Sequence, residues 1–275
     1  MTKSIPPRIY CIPATNAPVL AVFRRGPTNW SHVGRWDLVE RRYEPGAWLK
    51  GRIFPRRCDL SPDGRFLCYF AHKPHANWEH GDAFVALSKL PWLTALYAFG
   101  TCGTWSRGYH FTEDQNSKKP EDVSLPISYG LSPIPVVQFA NERRRGWSET
   151  ADSPRAVPGD VWDMHRNARI QKRQPGGERL LCVESLGRAG GEFGIDQAVE
   201  GLRVSYWLET DDNIQPLNYV QWADWDQEGH LLVATRSGKL QVWNRDCDAS
   251  DALFEEDLSL FKASPASTPT WAQRW

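Results

Sequence analysis

Cys58-Asp59-Leu60-Ser61-Pro62-Asp63-Gly64-Arg65-Phe66-Leu67-Cys68-Tyr69-Phe70-Ala71 is the stretch on which the fold turns. It reads as a strand, a tight turn and an apolar strand. Glycine supplies the positive φ that hairpin turns demand, and an acidic side chain before it bonds to the local backbone. Ala223-Asp224-Trp225-Asp226-Gln227-Glu228-Gly229-His230-Leu231-Leu232-Val233-Ala234 repeats the plan. A weaker copy is Gln174-Pro175-Gly176-Gly177-Glu178-Arg179-Leu180-Leu181-Cys182-Val183, and a degenerate one is Thr15-Asn16-Ala17-Pro18-Val19-Leu20-Ala21-Val22-Phe23.

With Ala17, Gly64, Gly177 and Gly229 as equivalent points, the spacings are 47, 113 and 52 residues. The middle interval is twice the others, which places a further copy near residue 120. There the turn-rich Gln115-Asn116-Ser117-Lys118-Lys119-Pro120 precedes two β-leaning runs, VSLPISYG and IPVVQFA. The 275 residues thus divide into five units of about 55. Each unit reads as four short strands: PRRCDLS, RFLCYFAHK, DAFVALSKL and TALYAFG in the second, and YVQWADW, HLLVATR, KLQVWNRD and ALFEEDLSLF in the fifth. Residues 248–261 fit either the one serious helix or that closing strand. Four-stranded units repeated without helices predict an all-β chain, a single β-propeller over residues 1–275 with five four-stranded blades, six being the alternative, and a Pro/Trp tail at 262–275. The 14 tryptophans, more numerous than the 11 Phe or 8 Tyr, then fill the gaps between blades.

LSPDGRFLCYFA at residues 60–71 resembles the repeat of WD40-like propellers of the TolB type, whose hairpin carries Ser-Pro-Asp-Gly before an apolar strand. Lys239-Leu240-Gln241-Val242-Trp243-Asn244 is similar to the third strand of a WD40 blade, with Trp243-Asn244 where those repeats end in Trp-Asp; Arg35-Trp36-Asp37-Leu38 is similar in the first unit. The resemblance is best over residues 52–99 and 219–246. It implies a propeller scaffold. The full Gly-His to Trp-Asp repeat is absent, and the length favours five blades over a regular seven.

Composition narrows the function classes. With 41% apolar residues the chain buries a core, which excludes a disordered protein. Lys and Arg balance Asp and Glu at 33 each, which argues against nucleic acid held by bulk electrostatics. No apolar run is long enough for a signal-peptide core or a membrane span, so the expectation is cytoplasmic. Six scattered cysteines without a CxxC pair read as reduced and structural.

Several constellations each carry two readings. Asp59 and Asp224 occupy equivalent repeat positions on innermost strands, so they are the catalytic candidates of a hydrolase or lyase acting on a carbohydrate or peptide, with Arg57 as substrate clamp. The plainer reading has them bond to backbone amides of an adjoining blade. His72, His75 and His80, with Asp82, have the ligand types zinc favours, although Pro74 and the loop setting argue against a shared helical face. The glycine-rich 187–194 lacks the Gly-Lys-Ser/Thr ending of a phosphate loop. Arg143, Arg144 and Arg145 before Trp147 pair cations with an aromatic, as do Arg41-Arg42 and Arg56-Arg57 with their neighbours; such clusters suit an acidic partner, a solvated strand edge or stacked bases. Trp271 and Trp275 either dock back on the fold or insert into a partner.

No nucleophilic arrangement stands out and no cofactor is expected. The first expectation is therefore a non-catalytic interaction scaffold or regulatory subunit whose partner is another protein. It engages through loops at 146–159 and 185–201 and through Arg143, Arg144, Arg145, Trp147, Trp271 and Trp275. The hydrolase is the second expectation. Single-stranded nucleic acid at Arg143 to Trp147 is a weaker third.

Overall fold

The computed structural model describes residues 5–26, 28–74, 81–112, 126–135, 137–153, 168–188 and 202–275. The expected turn at 115–120, most of both long loops, the glycine-rich segment beyond residue 188, His75 and His80 lie outside the described residues.

The described chain is all-β, in five antiparallel sheets each made of consecutive strands. The first holds β1 (Arg8–Pro13), β2 (Val19–Arg25), β3 (Trp30–Asp37) and β4 (Arg42–Lys50), in that order. The second is ordered β5 (Arg52–Ile53), β7 (Phe66–His72), β8 (Ala83–Lys89) and β9 (Tyr97–Gly100), with β6 (Asp59–Leu60) also paired to β7. The third has two strands, β10 (Tyr109–Phe111) and β11 (Leu131–Pro133). The fourth runs β12 (Ser148–Glu149), β13 (Arg169–Arg173), β14 (Leu180–Arg188), β15 (Leu202–Thr210) and β16 (Asn213–Pro216). The fifth contains β17 (Val220–Trp225), β18 (Leu231–Thr235), β19 (Lys239–Trp243) and β20 (Ala252–Asp257).

Local sequence explains these elements. β7 and β8 are near-continuous apolar runs buried on both faces, while β19 and β20 alternate with Lys239 bonded to Glu255 on the solvent side. Residues 248–261 resolve as the closing strand: Phe254 opposes Val242, and Glu255 opposes Gln241. The third unit departs from expectation. VSLPISYG yields a 3-10 turn at Pro126–Tyr129 before β11, and IPVVQFA leads into a one-turn helix at Ala140–Arg143. Prolines at 126, 133 and 135 withhold the N–H groups that a ladder needs.

The chain divides into two compact units, one of Met1–Tyr10 and Val136–Phe261, the other of Cys11–Pro135 and Lys262–Trp275. In the first, Ile170, Leu181, Val183, Tyr206, Val220, Ala223, Trp225, Leu231, Val233 and Trp243 form one core between the fourth and fifth sheets. In the second, Phe54, Phe66, Phe70, Val85, Leu87, Phe111, Tyr129 and Leu131 form another. Of the 14 tryptophans, Trp36, Trp147, Trp222, Trp225 and Trp243 are buried, whereas Trp105 and Trp271 are exposed. No helix among the described residues is long and apolar enough to cross a membrane.

Candidate functional site

The hairpins fix where the candidate acids stand. In the second sheet Ser61 N–H donates to Phe66 O at 2.9 Å and closes a loop of Pro62, Asp63, Gly64 and Arg65. In the fifth, Asp226 N–H donates to His230 O at 3.1 Å and closes a loop one residue shorter. Counted from the closing pair, Asp59 opposite Cys68 and Asp224 opposite Leu232 are equivalent. In the fourth sheet Gln174 N–H donates to Arg179 O, which gives Lys172, opposite Leu181, the same rank. In the first, Ala14 N–H donates to Val19 O and the residue of that rank is Ile12.

All but Lys172 are buried. Asp59 is 2% exposed, Asp224 3% and Ile12 1%. Asp59 Oδ2 accepts from Phe111 N–H at 2.9 Å. Asp224 Oδ1 accepts from Lys172 Nζ at 2.7 Å and from Trp225 N–H at 2.8 Å. Trp225 Nε1 in turn donates to Lys172 O. Each carboxylate thus serves as an acceptor that satisfies a neighbouring sheet, and the two belong to different units. Glycoside hydrolysis needs two carboxyls across an open cleft, whereas Asp59 and Asp224 are each buried to 3% exposure or less. Arg57 is equally engaged: its guanidinium lies 4.8 Å from the Phe54 ring and 5.3 Å from that of Phe70, and donates to the carbonyls of Thr104 and Ser106.

The turn side chains carry their own network. Ser61 Oγ accepts from Arg65 and Phe66 N–H and donates to Asp63 Oδ1. Asp226 Oδ1 accepts from Glu228 and His230 N–H, while Oδ2 lies 2.9 Å from His230 Nδ1. Asp226, Glu228 and His230 therefore hold three donor atoms within 4.8 Å of one another, a cluster that sequence spacing did not single out. Both Asp226 oxygens are already used in the turn, while the exposed Glu228 carboxylate lies 3.6 Å from His230 Nδ1. Of the histidines proposed as ligands, His72 ends β7 opposite Ala83.

The arginine segment is mostly tied to itself. Arg143 pairs with Glu149 at 3.3 Å and donates from Nε to Gln138 O; Arg145 Nη1 donates to Asn141 O; Arg144 is exposed. Trp147 corrects the expectation of a contact residue. At 4% exposure it belongs to the core, where the sheets of its unit need its volume. In the tail, Trp275 packs against Phe66 and Tyr129, whereas Trp271 is 54% exposed.

All six cysteines are free. Burial pushes the Cys182 thiol up to about 12 and Cys247 up to about 11, and drives Cys11 and Cys68 well above the usual range, which removes thiolate character. Three further features escaped the sequence. Trp105 ends a 3-10 turn at 81% exposure. Gln174 Nε2 bridges Gly229 O and Arg245 O. His32, stacked 4.4 Å from Trp48, is held down at about 4 by burial. Only Trp105 had a local signal, a bulky aromatic among Gly, Thr and Ser.

No protein-family model matches the chain, and no curated protein matches it.

Proposed function

We propose that the five sheets are blades of a β-propeller that acts, without catalysis, as a scaffold for another protein. Four antiparallel sheets of four or five consecutive strands, with a two-stranded hairpin third in the series, support the propeller reading. The observation that carries the scaffold reading is Trp105, held 81% exposed on a short irregular segment anchored by Arg57. Tryptophan and arginine dominate binding hot spots, and an exposed indole gains most from being covered. Arg144, exposed in the other unit, offers a second contact of the same kind. Free cysteines fit a reducing compartment, in keeping with a cytoplasmic protein.

No observation favours the hydrolase, because its proposed acids and clamp are buried or engaged within the fold. Affinity capture from the native host, with Trp105→Ala and Arg144→Glu beside the unaltered chain, tests the scaffold. A stoichiometric partner that either substitution weakens by about tenfold or more is the expected result. Recovery of a lone monomer under several mild conditions overturns it.

A further inference from the structure

Trp275, in the last stretch of residues 262–275, sits in an aromatic cradle within its own unit. Trp275 lies 5.6 Å from Phe66 and 5.6 Å from Tyr129, on which it stacks. Tyr129 stacks on Tyr97 at 4.1 Å, Tyr97 meets Phe99 at 5.6 Å, and Phe99 meets Tyr109 edge-on at 5.1 Å. The series runs from fully buried Phe66 out to half-buried Tyr97, Phe99 and Tyr109. Aromatic surface therefore continues beyond the ring that Trp275 covers.

Beyond the rings, Ala272 is fully buried and the remaining holds are few. Lys89 Nζ donates to Trp271 O at 2.9 Å, and Thr94 Oγ1 donates to Thr268 Oγ1 at 2.6 Å. Among the described residues no backbone-to-backbone hydrogen bond joins 262–275 to the rest of the unit; the two it makes are internal, from Ala272 to Pro269 and from Gln273 to Thr270. Residues 262–267 are exposed throughout. Pro269 has φ −65° and ψ 153°, the polyproline II conformation. After Pro269 the chain makes a 3-10 turn, Thr270–Ala272, that is gripped at the Trp271 carbonyl and delivers Trp275 to the rings, so a proline sets the entry and one aromatic anchor fills the cradle. Ordering a segment of which most residues stay exposed costs much of what these contacts supply, the balance expected of an exchangeable ligand.

We propose that this cradle is a peptide-binding site for proline-flanked segments bearing tryptophan, and that the tail is its ligand bound in cis. The site deepens the scaffold reading by naming a ligand chemistry for one surface.

The test keeps the full chain intact through folding. A protease recognition sequence is inserted between Lys262 and Ala263, and the folded protein is then cut. The expected result is that the freed tail leaves on dilution and gel filtration while the core keeps its circular dichroism. Synthetic 263–275 then rebinds, about tenfold or more weakly when it carries Trp275→Ala or the core carries Tyr129→Ala. A tail that never leaves under native conditions, a core that unfolds as it leaves, or rebinding indifferent to Trp275 overturns the proposal. A core that rebinds the peptide yet captures no cellular partner rejects the scaffold reading alone.

Discussion

The hairpins of the second and fifth sheets follow one plan and end in different chemistry. Asp59 and Asp224 stand two residues before the closing pair, both buried, yet Asp59 holds a backbone N–H and Asp224 an ammonium. The difference lies in what the next strand offers. Thr112 N–H bonds to Gly130 O, so by alternation Phe111 N–H points away from β11, where Asp59 Oδ2 accepts it. β13 is paired on both edges over Ile170 and Gln171 and presents a side chain, Lys172, in its place. Position is set by the hairpin, partner by the neighbour.

Tests of this contrast belong above pH 7, because His32 imposes the largest shared effect below it. Burial lowers its pKa from 6.5 to about 4, so the unfolded chain takes up a proton that the folded one refuses. Stability is intact above about pH 6.5 and falls by about 3 kcal/mol as the pH drops to about 4. Urea midpoints across that range check it. His32→Phe, which can keep the stacking on Trp48, flattens the decline; an undiminished slope in that variant rules out His32 as its source.

The turn glycines separate the hairpins next. Both have positive φ, +72° at Gly64 and +84° at Gly229. A Cβ at Gly229 would sit 2.6 Å from the carbonyl oxygen of Pro175, a backbone atom, whereas at Gly64 it would sit 3.1 Å from Val19 Cβ. Gly229→Ala therefore costs about 2 to 3 kcal/mol and Gly64→Ala about 1 to 2, the first combining left-handed strain with a clash. Equal midpoint shifts would show that the tip of the fifth hairpin yields freely.

That contact also marks where the sequence stopped being legible. Strands of the second and fifth units, the acid positions and the turn glycines follow from apolar runs and Asx/Gly punctuation. The one-residue difference in loop length did not: laying Gly64 over Gly229 and reading on without a gap puts Cys68 against Val233, whereas the closing hydrogen bonds match it to Leu232. Register is set by backbone pairing across the turn, which residue types report only indirectly. The burial of Trp147 was hidden for a related reason: its neighbours Arg143 to Arg145 look exposed, and only the packing of distant strands takes the indole inward.

Removing the acids tests the partners directly. Asp224→Ala leaves Lys172 without its counter-ion; Lys172 keeps some access to water, with its side chain 20% exposed, so the cost is about 2 kcal/mol. Asp59→Ala strands the buried Phe111 N–H for about 1 to 2 kcal/mol. Lys172→Met recovers much of the loss in an Asp224→Leu background, since both charges then disappear together. Asp59→Asn, which keeps an acceptor, stays near the unaltered chain. An Asp59→Asn midpoint as low as that of Asp59→Ala would mean that charge matters at both sites, and the contrast would collapse.

The smallest effect concerns the turn side chains. Ser61 and Asp226 each accept two amide hydrogens, but the amides differ in setting. Phe66 N–H is buried, so Ser61→Ala leaves it without Oγ and costs about 1 kcal/mol, while Arg65 N–H retains Asp63 Oδ1. Glu228 N–H is exposed and His230 N–H partly so, and water replaces Asp226 at both. Asp226→Ala thus costs about half as much, and Asp226→Asn, with one acceptor oxygen kept, less again. Chemical denaturation with unchanged m-values measures the ordering. If Asp226→Ala proves the costlier, its contact with His230 contributes more than the two amides, and the fifth hairpin is held by its side chains where the second is held by its backbone.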